Sequence, residues 1–213
     1  AVLIFPGCGS NEKRFFDMAE QLAAHGIFAM TLNPRGHGES EGVFEEMMGS
    51  KNTLDGLAAY DFLTERSDSD TQRIGLSGSS YGAMIAARIS AERAVKSLIL
   101  RAPAVYTEKM LNTPLKEIMA EEKEKFFKLS TTDVAESPAV VAMEQFSGSL
   151  LVVVSGEDDI IPPTIPQAYY DHATHASRRE IETLADAPHS LTPSPVHKQQ
   201  FNARALAWFS ETL

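Results

Sequence analysis

Short unbroken apolar runs alternate along this chain with longer stretches in which apolar residues recur every three or four positions. The first kind of run suits a strand buried on both faces, and the second suits an amphipathic helix. Residues 2–5 (VLIF) open the series as a strand and end in the turn Pro6-Gly7-Cys8-Gly9-Ser10. Residues 11–25 carry Phe15, Met18, Ala19, Leu22 and Ala23 at helical spacing, and Gly26 follows as a C-cap. A second strand is expected over 27–32, then a loop rich in Gly and Pro (33–40), then a helix over 53–63. The beat continues with a strand at 73–77, a helix at 83–91 and a strand at 95–100 that Pro103 closes. Residues 150–154 and 179–183 complete six strands, the last less apolar and therefore assigned to a sheet edge; helices are expected at 165–173 and 196–212.

Strands alternating with helices predict an α/β fold with a mostly parallel sheet. Residues 104–149 break the rhythm, because amphipathic helix occupies a place where a short connection is expected. The chain therefore divides into a core of 1–103 and 150–213 and a helical cap over 104–149. In this architecture that connection overhangs the carboxyl ends of the strands. Leu111, Leu115, Ile118 and Met119 are accordingly expected to line a substrate pocket with an apolar stripe, the alternative being that the segment packs as an ordinary domain edge or an oligomer contact and buries the stripe away from Ser80.

Composition narrows the class. With 213 residues, 43% hydrophobic and 23% charged, the chain is long enough to fold as one ordinary globular domain. A net charge of -10 argues against nucleic acid and anionic membranes as partners. The single cysteine, Cys8, cannot form an internal disulfide and points to a reducing cytoplasm. The chain opens at Ala1, already inside a strand-like run, which leaves room for a leader ahead of it. Scattered histidines and the spacing of Glu157-Asp158-Asp159 offer no metal site, and neither Gly7-Cys8-Gly9 nor Gly36-His37-Gly38 continues into a nucleotide-binding motif. No cofactor is implied.

Gly78-Ser79-Ser80-Tyr81-Gly82 lies between a strand and a helix, the context of a nucleophile elbow with Ser80 at its tip. A serine hydroxyl needs a base and that base needs an orienting carboxylate, both on loops after strand ends. Two loops supply them, 156–163 with Glu157, Asp158 and Asp159, and 186–190 with His189. The order Ser80, Asp159, His189 is that of nucleophile, acid and base in the α/β-hydrolase arrangement. His37 is read as turn packing rather than chemistry.

The glycine turn at Gly7, Arg35-Gly36-His37-Gly38-Glu39-Ser40, the elbow, Gly156-x-x-Asp159 and His189 together resemble the α/β-hydrolase superfamily over nearly the whole chain. The stretch Gly38-Glu39-Ser40-Glu41-Gly42-x-Phe44 is similar to bacterial serine esterases of the cinnamoyl and feruloyl type. This resemblance implies Ser80 as nucleophile, His189 as base, Asp159 as its partner three residues after Gly156, with the adjacent Asp158 as the alternative because only one of the two can point at His189, and an oxyanion hole from the backbone N–H groups of Cys8 and Tyr81. It begins at what is usually the third strand, so the first two strands are expected to be missing from this chain. Pro6 and Asn33 stand where many members carry His and Asp. The expected activity is cleavage of small to medium apolar carboxylic esters, with little activity on charged substrates. Thioesters, lactones and peptides use the same residues, and a non-catalytic receptor on this fold is the rival class.

Overall fold

The computed structural model describes residues 1–66, 70–120 and 122–213; position 121 of the expected cap lies outside them. Six strands form one sheet: β1 (Val2–Phe5), β2 (Ala29–Thr31), β3 (Gly75–Ser79), β4 (Ser97–Arg101), β5 (Ser149–Glu157) and β6 (Arg178–Pro188). Their order is β2-β1-β3-β4-β5-β6, with every neighbouring pair parallel.

Period-two alternation explains the unbroken apolar runs. Leu3, Phe5, Leu76, Leu98, Leu100, Leu150 and Val152 enter a core on one face, whereas Val2, Ile4, Ile99, Leu151 and Val153 enter a second core on the other. Helices cover both faces. α1 (Phe16–Ala24) lies on the second core through Met18 and Leu22, while α2 (Gly49–Glu65) and α3 (Tyr81–Glu92) lie on the first through Leu57, Tyr60, Leu63, Met84 and Ile85. α2 begins four residues earlier than the periodicity predicts, and Asn52, Thr53 and Gly56 are buried on it while Leu54 and Phe62 face outward.

The described residues of 104–149 fold into five short helices, α4 (Glu108–Leu111), α5 (Leu115–Met119), α6 (Glu122–Lys128), α7 (Thr131–Ala135) and α8 (Pro138–Val141), ending in a 3-10 turn over Ala142–Gln145. α9 (Thr164–His172) returns to the first core and α10 (Pro195–Thr212) to the second, through Phe201, Ala205, Trp208 and Phe209. Among the described residues, no helix is long and apolar enough to cross a membrane.

The sheet order sets where chemistry can occur. From β1 the chain turns to one side to form β2, and β3 then returns to the other side of β1. The loops after β1 and β3 therefore part toward opposite faces, and the crevice between them is the usual binding place of a parallel sheet.

Candidate active site

Ser80 is the first residue after β3, Asp158 the first after β5 and His189 the first after β6. β5 and β6 pair through Glu157 and Pro188, so Asp158 and His189 leave the sheet side by side. Ser80 has φ 53° and ψ -115°, a conformation that a side chain rarely adopts and that lifts its hydroxyl clear of the sheet. Two glycines make the turn possible. A Cβ on Gly78 would come within 2.3 Å of the Gly82 carbonyl oxygen, and one on Gly82 within 2.4 Å of the carbonyl oxygens of Phe5 and Pro6. The close pass of α3 over β1 and β3 thus depends on both lacking side chains. The elbow is also tied sideways, the Ser80 N–H donating to the Arg101 carbonyl at 2.9 Å and the Ala104 N–H to the Ser80 carbonyl at 3.3 Å.

The His189 Nε2 lies 3.1 Å from the Ser80 Oγ, and its Nδ1 lies 2.8 Å and 3.0 Å from the two carboxylate oxygens of Asp158. Asp158 is therefore the carboxylate that meets the imidazole, in place of the expected Asp159, which falls one residue farther along on the exposed loop. The reason is the length of β5: it runs to Glu157 rather than stopping at Val154, and it carries the first loop residue up to His189. Asp158 is further held by the N–H groups of Ile161 at 2.8 Å and Ile160 at 3.0 Å. Burial pushes its carboxyl up, but the hydrogen bond and charge of His189 and these two N–H groups outweigh burial and hold it below the ordinary aspartate value. An ionised Asp158 keeps the proton on Nδ1 and leaves the Nε2 lone pair facing the serine.

A cavity of about 300 Å³ opens in front of Ser80 and His189, walled by Gly7, Cys8, Ile160 and Leu191 among others. Gly7 packs against the serine itself, since a Cβ placed there would lie 3.7 Å from the Ser80 Cβ. Cys8 is half-buried beside it, and Tyr81 begins α3, where backbone N–H groups have no acceptor within the helix. Among the described residues, no group of three His, Cys, Asp or Glu side chains converges as a metal site requires.

The family described as serine aminopeptidase, S33, matches residues 1–144 of the chain. The chain belongs to this family. It is 26% identical over 178 residues to an uncharacterized protein of Mycobacterium tuberculosis, an overlap of 84% of this chain and 59% of that protein. The chain thus spans under two thirds of the length of that curated relative. Among solved structures, it resembles a monoacylglycerol lipase of Paleococcus ferrophilus (15% identity, TM-score 0.75, all of this chain and 94% of that one). It also resembles Est1E of Butyrivibrio proteoclasticus, solved with ferulic acid (16% identity, TM-score 0.74, 99% of this chain and 88% of that one). At these identities the likeness is one of fold, the α/β-hydrolase fold.

In this S33 family member the expected apolar stripe is divided. Met119 lines the cavity, but Leu111, Leu115 and Ile118 are buried in the first core, with the Leu111 side chain against Gly49 at the start of α2. The stripe is helical as expected and covers the protein's own core instead of a substrate. His37 is 2% exposed and packs between Phe44 and Tyr81, consistent with a role in turn packing.

Arg101 was missed by sequence reasoning. It is the last residue of β4, the strand between those that present Ser80 and Asp158, and it is buried at the edge of the cavity. The guanidinium donates to the His189 carbonyl at 2.5 Å and to the hydroxyls of Ser155 at 3.2 Å and Ser79 at 3.3 Å. Burial lowers its pKa to about 10, against the opposing pull of the Asp158 charge, so it stays a cation at neutral pH. An Arg at the end of an otherwise apolar strand was the available signal.

Proposed function

We propose that the protein is a serine hydrolase that cleaves carboxylic esters of small to medium size through an acyl-serine intermediate. The observation that carries this reading is the continuous set of hydrogen bonds from Ser80 through His189 to Asp158, with the serine held at positive φ. As the Ser80 Oγ attacks the ester carbonyl carbon, the His189 Nε2 takes its proton, and Asp158 stabilises the imidazolium that forms. The carbonyl oxygen becomes an oxyanion facing the N–H groups of Cys8 and Tyr81, each donor contributing roughly 3 kcal/mol. His189 then hands the proton to the departing alkoxide, and the same groups activate water to release the acid. Segment 104–149 acts as a cap at this site through Met119 alone of the four residues expected there, so strict apolar selectivity loses its basis. A single cysteine supports a reducing, cytoplasmic compartment.

A fluorophosphonate probe tests the reading directly, because only a serine with a hydrogen-bonded base reacts quickly. Labelling at Ser80 alone, abolished in Ser80→Ala, is expected; labelling that survives this substitution refutes it. The description of the family as serine aminopeptidase favours amide cleavage as the second reading. Turnover of aminoacyl anilides faster than that of ethyl esters would select it.

A further inference from the structure

The cavity also has polar lining that ester hydrolysis does not use. Past His189 it continues between the start of α1 and α10, where Ser10, Arg14, Thr192, Lys198 and Asn202 line it. Thr192, Lys198 and Asn202 also border an adjoining groove with Asp17, which places this end at the junction of the two helices. We propose that it is a subsite for a carboxylate carried by the substrate several bonds away from the scissile carbonyl. The proposal rests on the ester-hydrolase reading and adds the substrate class to it.

The first observation is Asn202. It is 5% exposed, faces the cavity, and its side-chain amide makes no hydrogen bond with any described residue. The residue is buried but its amide still opens onto the cavity, where water or a ligand can satisfy it. Ser10 repeats the pattern, 9% exposed with an unpaired hydroxyl on the same cavity.

The second observation is charge. Arg14 stands exposed at the rim, and among the described residues no carboxylate pairs with it. Lys198 is paired with Asp17 at 2.5 Å, and Asp17 is the one carboxylate among the residues lining this end and its groove. The pair cancels, and Arg14 remains as the exposed cation at this end over neutral donors, with the buried Arg101 guanidinium lining the same cavity beneath His189. In a chain of net charge -10 this is a local reversal of sign. A single planar guanidinium with an amide and hydroxyls suits a carboxylate monoanion better than a phosphate dianion, which would want further cations. The cavity volume, at the small end for small-molecule sites, fits a short chain between the two ends.

The test compares esters of equal length with and without the anion. Monoethyl adipate against ethyl hexanoate places the carboxylate on the acyl side; the acetate ester of 4-hydroxybutanoate against butyl acetate places it on the alcohol side. The charged member of at least one pair should have the higher kcat/KM. That ratio should fall about tenfold in Arg14→Met and in Asn202→Leu, and it should recover in part in Arg14→Lys. Added salt should also lower it. A purely structural role would reduce both members together and leave the ratio unchanged, which would overturn the proposal, as would a preference for the neutral ester in both pairs. If no ester is turned over and Ser80 resists the fluorophosphonate, the hydrolase reading fails by itself. Calorimetric titration of Ser80→Ala with adipate and with 4-hydroxybutanoate then decides the subsite. Saturable binding of either anion, lost on adding Arg14→Met, supports it, and absence of binding refutes it.

Discussion

Replacing Arg101 with methionine removes the buried charge beneath the site while keeping much of the side-chain volume. Two opposing effects on stability follow. A guanidinium whose pKa is lowered to about 10 by burial pays about 3 kcal/mol to remain charged in the folded protein, and the substitution removes that cost. The His189 carbonyl loses a charge-assisted hydrogen bond of 2.5 Å, a loss of about 1.5 to 3 kcal/mol. In the contacts to Ser79 and Ser155 the hydroxyl oxygens accept at 3.3 Å and 3.2 Å, and bonds this long contribute little. The two effects nearly cancel, in keeping with buried charges that apolar residues replace without loss. The melting temperature should therefore move by no more than about 4 °C in either direction.

Activity has no such compensation. The carbonyl that Arg101 holds belongs to the residue whose imidazole must face Ser80, and a displacement near 1 Å at a reacting group costs about 100-fold. Arg101→Met should lower kcat on ethyl butyrate and the rate of fluorophosphonate labelling by about that factor. Arg101→Lys, with one ammonium in place of a fork, should fall between it and the wild type. Calorimetry and labelling rates on the same preparations make the test. A melting temperature lowered by more than about 10 °C would mark Arg101 as a structural residue and refute the cancellation, and wild-type labelling in a well-folded variant would refute the positioning role.

The carboxylates separate cleanly. Asp158→Asn should lower kcat by about four orders of magnitude, and Asp159→Asn by less than about threefold; the opposite result would return the acid role to Asp159. Because Asp158 is more acidic folded than unfolded, its stabilisation is complete above the unfolded value and lost as pH falls through the folded one. Asp158→Asn should consequently shrink the fall in melting temperature between about pH 5 and about pH 3. Gly82→Ala forces a Cβ onto two backbone oxygens that cannot yield, and should cost about 3 kcal/mol or more in urea denaturation, with loss of labelling. Leu115→Ala should cost about 2 to 5 kcal/mol and leave ester chain-length preference alone, whereas Met119→Ala should shift that preference with little change in stability.

The inner strands were legible because both faces of the sheet are buried there. In Val2–Phe5 every residue enters one core or the other, so no polar position interrupts the run. The ends of β5 and β6 were not legible, and the expectation of Asp159 rather than Asp158 beside His189 follows from that. Ala185-Asp186-Ala187-Pro188 has loop composition, yet it continues β6, because on an edge strand the last residue needs no N–H for the ladder. Extending β6 extends its partner: the register shifts between Ser155 and Glu157, and Glu157 pairs with Pro188. A strand taken to end at Val154 leaves the spacing from Gly156 as the guide and selects Asp159. One taken to end at Glu157 selects Asp158.

The divided stripe and the missed arginine share a cause. Periodicity identifies which face of a helix is buried but not what buries it. Leu111, Leu115 and Ile118 satisfy the pattern equally well against a substrate or against the first core, and the core, with far more apolar surface to offer, takes three of the four residues. Arg101 is the same problem in a strand. As the residue after 95–100 it reads as a solvated end, because charged side chains usually mark where a buried run meets water. Its meaning depends on strand order, which no local window contains. Once β4 is known to lie between β3 and β5, its final residue must point into the space bounded by the loops that carry Ser80, Asp158 and His189. A cation in that space has little access to bulk water, so it finds its partners in the His189 carbonyl and the hydroxyls of Ser79 and Ser155.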